Sequence, residues 1–198
     1  MKTSIVWFKT DLRLHDNETL ITAIAQSDQI IPVYCFDDSH FEETSFGFKK
    51  TGNFRAQFLL ESLVDLDKNL RELGSGLLVL KGKSELEIPK IVQQFKATKV
   101  FAKREVSYEE KQTETLVQTA LFKLKCELLT FSTSTLYHAE DLPFSIKDIP
   151  DVFTNFRKKT EKDAIIREAF DAPTEIKSPE IPQLFLPTLE ELNLTFTP

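Results

Sequence analysis

Ser4-Ile5-Val6-Trp7-Phe8, followed by Lys9-Thr10-Asp11-Leu12-Arg13-Leu14-His15-Asp16-Asn17, is the stretch on which the fold turns. Five uncharged residues of high β-propensity predict a strand buried on both faces. The next nine are charged or polar apart from two leucines, and helical spacing begins at Leu20, Ile21, Ala23 and Ile24. Either Asp16 or Asn17 can cap that helix. A strand running into a polar loop and then a helix is the opening unit of a doubly wound α/β domain. Ligands of such domains sit beyond the carboxyl ends of the strands.

The unit repeats along the chain. Residues 30–36 form a second apolar strand, with Pro32 near its start, where a missing ladder donor is tolerated. Residues 37–51 make a loop longer than the usual connection, and such loops carry function or move. Thr51-Gly52 opens the longest helix, along which Phe54, Phe58, Leu59, Leu63, Leu66, Leu70 and Leu73 are expected to share one face. Gly74 and Gly76 end it. Residues 77–80 are a third strand, followed by a helix to about Phe95 that accommodates Pro89 only in its first turn. Residues 99–102 are a fourth strand. Ser107 with Glu110 is a capping-box signature for a helix to about Leu124, and residues 126–131 close the series.

The expected fold class is therefore α/β: a doubly wound, five-stranded parallel sheet of Rossmann-like type over residues 1–134, with right-handed crossovers. Residues 135–198 read as a connector containing one helix, residues 151–170. The last part, 171–198, holds five of the nine prolines and is expected to be extended, stopping without a closing element.

Composition narrows the function classes. The 198 residues, 41% of them hydrophobic, suffice for one core. A net charge of -6 disfavours unaided nucleic-acid binding, because phosphate neutralisation supplies most of that affinity. No apolar run reaches the roughly 18–20 residues of a membrane span, and the charge pattern of the opening residues leads us to expect no signal peptide there. Cys35 and Cys126 lie far apart without metal-ligand neighbours, so two reduced thiols and a cytoplasmic setting are expected. His15, His40 and His138 do not cluster at metal spacing. Neither G-x-G-x-x-G, a P-loop nor G-x-S-x-G occurs. Pattern alone stops at a five-stranded domain with a small-molecule cleft.

The residues themselves go further. The stretch 7–17 resembles the opening signature of the photolyase/cryptochrome family. Residues 50–62 (Lys50-Thr51-Gly52-Asn53-Phe54-Arg55 and onward), Arg104-Glu105-Val106-Ser107, Leu136-Tyr137-His138, Asp141-Leu142-Pro143-Phe144 and residues 150–158 narrow the resemblance to DASH-type cryptochromes. Lys9 and Thr10 depart from it, standing where the family usually has arginine and asparagine. The resemblance implies the N-terminal α/β antenna domain, with 5,10-methenyltetrahydrofolate in a cleft between it and a following helical domain. That second domain, which lies beyond the region of resemblance, would hold FAD and make the contacts with DNA. In the full protein it implies blue-light-driven repair of cyclobutane pyrimidine dimers in single-stranded DNA by a deoxyribodipyrimidine photo-lyase. Flavin photoreduction in the family runs along several tryptophans, and this chain has only Trp7, which the strand pattern buries.

The same resemblance implies a role for Glu105, just past the fourth strand: accepting the amino and imino hydrogens of the pterin ring. A carboxylate suits that edge because it accepts two parallel donors. The competing reading is an ion pair with Lys103 or Lys111. Arg104 and Lys103 are expected either to draw in the folate's glutamate tail or to form a solvated basic edge, and Phe8, Phe36 and Asp37 end strands on the same rim. Asp11 and Arg13 are expected to fix the first loop, and Arg55 and Gln57 to face either a following domain or solvent. Arg157, Lys158, Lys159, Lys162 and Arg167 alternate with acids, which favours a solvated or domain-facing helix over a DNA groove. No catalytic or metal-ligating residue is expected in this chain. Two other readings stay open: a blue-light signalling photoreceptor without repair activity, and a stand-alone nucleotide-binding α/β protein.

Overall fold

The structure, a computed structural model, describes residues 1–194. Five strands, β1 (Thr3–Phe8), β2 (Gln29–Phe36), β3 (Leu78–Lys81), β4 (Lys99–Lys103) and β5 (Glu127–Phe131), alternate with α1 (Glu18–Gln26), α2 (Asn53–Glu72), α3 (Ser84–Phe95) and α4 (Tyr108–Lys123). All pairings are parallel and the order is β3-β2-β1-β4-β5. The expected doubly wound sheet is what forms. Strand order reverses between β1 and β4, so the crevice for a ligand opens at their carboxyl ends.

β1 is buried along its whole length. Its alternate residues feed two cores, as strand periodicity requires. Val6 and Phe8 join Leu20 and Ala23 of α1 and Leu63, Leu66 and Leu70 of α2. Ile5 and Trp7 join Ile88 and Ile91 of α3 and Val117 and Leu121 of α4. Pro32 lies inside β2, but pairing with β3 begins only at Val33, so the missing donor falls where β2 has one neighbour.

Four local expectations are corrected. Phe54 and Phe58 are 80% and 71% exposed, whereas Ala56, Leu63, Leu66 and Leu70 are buried. At about 100° per residue, Phe54 lies roughly opposite Leu63, so the apolar stripe belongs to the leucines and the phenylalanines face outward. Pro89 is past the first turn of α3, because that helix already starts at Ser84, where the Asp37 carboxylate accepts the backbone N–H at 2.8 Å. Ser107 is the N-cap of α4, yet its side chain makes no capping bond. The fifth helix, α5 (Phe153–Asp163), ends well before residue 170. Beyond it Arg167 is drawn to Asp141, and the Phe170 carbonyl accepts from Asp16 N–H at 2.7 Å, which holds the chain extended.

The extended segment after α5 is packed against the domain. Ile176 N–H donates to the Leu73 carbonyl at 2.8 Å, Ile30 N–H donates to the Lys177 carbonyl at 2.9 Å, and the Ser178 hydroxyl donates to the Ile30 carbonyl at 2.6 Å. These contacts lie at the amino end of β2. The segment then passes Arg71, which donates to the Pro182 carbonyl at 2.8 Å, and reaches Lys81 at the carboxyl end of β3. Ile176, Ile181, Leu192 and Leu194 are buried along the way. The final four residues of the expected connector lie outside the described residues. Among those described, no helix is long and apolar enough to cross a membrane.

Ile176 is 2% exposed and belongs to the α2-side core. Ile176→Ala is expected to lower unfolding free energy by about 2–4 kcal/mol, a loss measurable by urea denaturation. An unchanged midpoint would mean that the strap lies on the domain without supporting it.

Candidate functional site

The loop after β1 is held from within. The Asp11 carboxylate is buried and accepts the Lys9 backbone N–H at 3.0 Å. Asn17 donates through its amide to the carbonyls of Asp11 and Arg13, at 3.3 and 2.9 Å, while its Oδ1 accepts Leu20 N–H at 3.0 Å and caps α1. Arg13 donates to the carbonyls of His15 and Asp16 and pairs with the Asp16 carboxylate at 3.6 Å. Asp11 and Arg13 thus do the loop-fixing expected of them.

That loop delivers Lys9 and Thr10 to the crevice between β1 and β4. Lys9 Nζ lies 4.4 Å from the Trp7 ring centroid, donates to the Lys103 carbonyl at 2.9 Å and pairs with Glu114 of α4 at 3.1 Å. Lys103 Nζ donates to Thr10 Oγ1 and lies 3.8 Å from Glu105 Oε1. Thr10 Oγ1 is in turn 3.4 Å from the same Glu105 oxygen. The side chains of Lys9, Lys103, Glu105 and Glu114 are only 12–18% exposed. Desolvation strengthens their attractions relative to an open surface. Glu105 therefore lies on the ligand rim, and Lys103, one of the two lysines weighed against a ligand role, is beside it. Arg104 turns the other way, donating to Thr130 Oγ1 of β5 at 3.1 Å.

The DNA photolyase family model matches residues 4–179. The chain belongs to the DNA photolyase family. Across 98% of its length it is 43% identical to a cryptochrome DASH of Gloeobacter violaceus, covering 39% of that protein. It is 40% identical to blue-light photoreceptor PHR2 of Arabidopsis thaliana, covering 100% of this chain and 45% of the relative. The crystal structure of a Synechocystis sp. PCC6803 cryptochrome superposes with a TM-score of 0.91 at 42% identity, over 96% of this chain and 40% of that one. The chain thus spans about two fifths of the length of these relatives and corresponds to the N-terminal α/β domain of DASH-type members.

Within this photolyase-family domain, Phe8 and Phe36 are 1% exposed and belong to the α2-side core, so they support the rim from below. Asp37 is a capping group. Its Oδ1 accepts the Ser39 N–H and hydroxyl, its Oδ2 the Ser84 N–H and hydroxyl, all at 2.7–3.1 Å. Those bonds tie the end of β2 to the start of α3. Cys35 and Cys126 are buried and free, and burial pushes their thiols up to about 12 and about 11. Among the described residues no group of His, Cys, Asp and Glu could hold a metal ion.

Sequence reasoning did not single out Glu114, and noted Lys9 and Thr10 only as departures. Glu114 carried a signal: it precedes Val117 by three residues and Leu121 by seven, on the stripe that α4 buries.

Burial pushes the Asp37 carboxyl up, but the hydrogen bonds from Ser84 and Ser39 outweigh it and hold the group below its ordinary value of 3.8. Its contribution to stability is therefore full above the unfolded-state value and is lost as pH falls through the lower folded one. Asp37→Asn is expected to cost about 1–3 kcal/mol at neutral pH, in urea titrations, and progressively less as the pH drops below about 4. A difference that stays constant into acid would contradict the cap.

Proposed function

We propose that this chain is the pigment-binding antenna domain of a DASH-type cryptochrome/photolyase. The reading is carried by Glu105: a half-buried carboxylate at the switch-point rim, with Oε1 contacted by Thr10 and Lys103 and no hydrogen bond on Oε2 among the described residues. An acceptor of that kind suits the adjacent amino and ring N–H groups of a pterin, as in 5,10-methenyltetrahydrofolate. When bound, the folate supplies light absorption in the near-ultraviolet or blue and passes the excitation to a flavin. The chain's own residues bind and orient: Glu105 accepts from the ring edge, the β1 loop forms one wall, and Lys103 balances the carboxylate charge.

In this reading a helical FAD domain covers the rim and makes the contacts with DNA. Exposed apolar side chains around the site support a covering partner. Phe46 and Phe48 stack in a hairpin closed by the Glu43–Lys49 bridge, and Val106 and Tyr108 stand at the start of α4. The Lys50–Glu109 ion pair at 2.9 Å joins these two groups into one surface. Such patches mark interaction sites. The whole protein would then repair cyclobutane pyrimidine dimers in single-stranded DNA under blue light, with FAD as its catalytic cofactor. The alternative, a light-signalling photoreceptor without repair activity, draws support from the likeness to the protein named a blue-light photoreceptor. A blue-light dimer-repair assay on the full-length gene product separates the two.

Glu105→Gln in that full-length protein is expected to lower folate affinity by about tenfold or more, since a charge-assisted acceptor becomes a donor facing donors. The measurement is the folate-to-flavin ratio of the purified protein across a folate titration. Equal pigment content in variant and wild type would rule out the antenna site.

A further inference from the structure

We propose that Thr10 and Lys103 form a positioning relay that aims Glu105 and sharpens its preference for a ring edge with two adjacent donors. The inference rests on the pterin reading of Glu105. An ammonium has three donors and no acceptor, so the Lys103–Thr10 bond runs from Lys103 Nζ to Thr10 Oγ1. The threonine hydroxyl has one hydrogen. With its oxygen accepting from Lys103, that hydrogen turns to Glu105 Oε1, 3.4 Å away. The relay therefore has a direction: lysine to threonine to glutamate.

Both arms of the relay end on the same carboxylate oxygen, since Lys103 Nζ also lies 3.8 Å from Oε1. Oε1 is tethered, and Oε2 with the remaining lone pair of Oε1 is left for a ligand. The root of the relay is itself fixed. Lys103 is the last residue of β4, and its carbonyl accepts from Lys9, which the Glu114 carboxylate and the Trp7 ring hold in place. Thr10 is exposed, and the polar contacts of its hydroxyl are those with Lys103 and Glu105. Among the described residues Thr10 belongs to neither core cluster.

The consequence is selectivity. A 2-amino-4-oxopteridine edge offers an amino and a ring N–H side by side and needs both carboxylate oxygens at a fixed angle. A 2,4-dioxopteridine lacks the amino donor and gains little from that angle. Thr10→Val keeps the side chain's shape and removes the hydroxyl. In the full-length protein it is expected to weaken 5,10-methenyltetrahydrofolate binding about three- to tenfold. Binding of 2,4-dioxopteridine should change less than twofold, and Thr10→Ser should restore folate binding.

A double-mutant cycle with Glu105→Gln decides whether Thr10 acts through Glu105. In that background Thr10→Val should cause no further loss. An equal loss with and without Glu105, an equal loss for both pteridines, or wild-type folate binding by Thr10→Val would each overturn the relay while leaving the antenna site standing. If Glu105→Gln alone binds folate as the wild type does, the antenna site falls and the relay falls with it.

Discussion

β1 has no free side. β2 and β4 pair with its two edges, and helices cover its two faces. A strand confined in this way can release its chain in only one place, the carboxyl end between β1 and β4, where the strand order reverses. The change from apolar to charged residues after Phe8 coincides with that exit. Lys9 and Thr10 therefore meet Lys103 and Glu105, residues almost a hundred positions away, because sheet topology leaves the two loops nowhere else to go.

This is also why so much of the fold was legible. Period and burial on both faces are properties of short stretches, and residues 4–8, 30–36 and 99–102 carry them without help. Two of the misreadings share one cause, a contact made by a residue distant in sequence. Pro89 reads as a first-turn residue until Asp37 is seen to cap α3 at Ser84. The fifth helix reads on to residue 170 until Arg167 meets Asp141. Phe54 and Phe58 are a different case: spacings of three and four drift around a helix, and a count of spacings admitted residues that an angle excludes. Of the candidate site, Glu105 was legible from its place after a strand and from a family likeness. Lys103 was named as an ion-pair partner for it, but Thr10 was not, because no local rule pairs Thr10 with Lys103.

The strap shows how a polar staple and apolar anchors divide the work. Asp67, buried in α2, accepts Leu77 N–H through Oδ1 at 2.8 Å and Arg71 through Oδ2 at 2.8 Å. Arg71 in turn holds the strap at the Pro182 carbonyl. One carboxylate thus fixes the end of α2, the approach to β3 and the passing strap. Gly76 sits in this corner, where an added Cβ would come within 3.2 Å of both Arg71 and Ile181. A proline-rich sequence with no period becomes ordered because the domain supplies its hydrogen-bond partners, which composition does not reveal.

The same geometry argues against a nucleotide in the crevice, although the topology is that of nucleotide-binding folds. Such folds seat a phosphate on the free N–H groups of the helix after β1. Here Asn17 occupies that helix's capping position, and Glu18 adds a negative charge in its first turn. The two lysines on the rim do not compensate, because Lys9 is matched by Glu114 and Lys103 stands beside Glu105. A phosphate would compete with the Asn17 side chain for the Leu20 N–H and would meet balanced cations. Glu105 Oε2, by contrast, has no hydrogen bond among the described residues, which in the proposed reading suits a ring edge rich in donors. A phosphate seated as in nucleotide-binding folds would therefore meet competition at the first turn of α1, which weighs against the stand-alone nucleotide-binding reading.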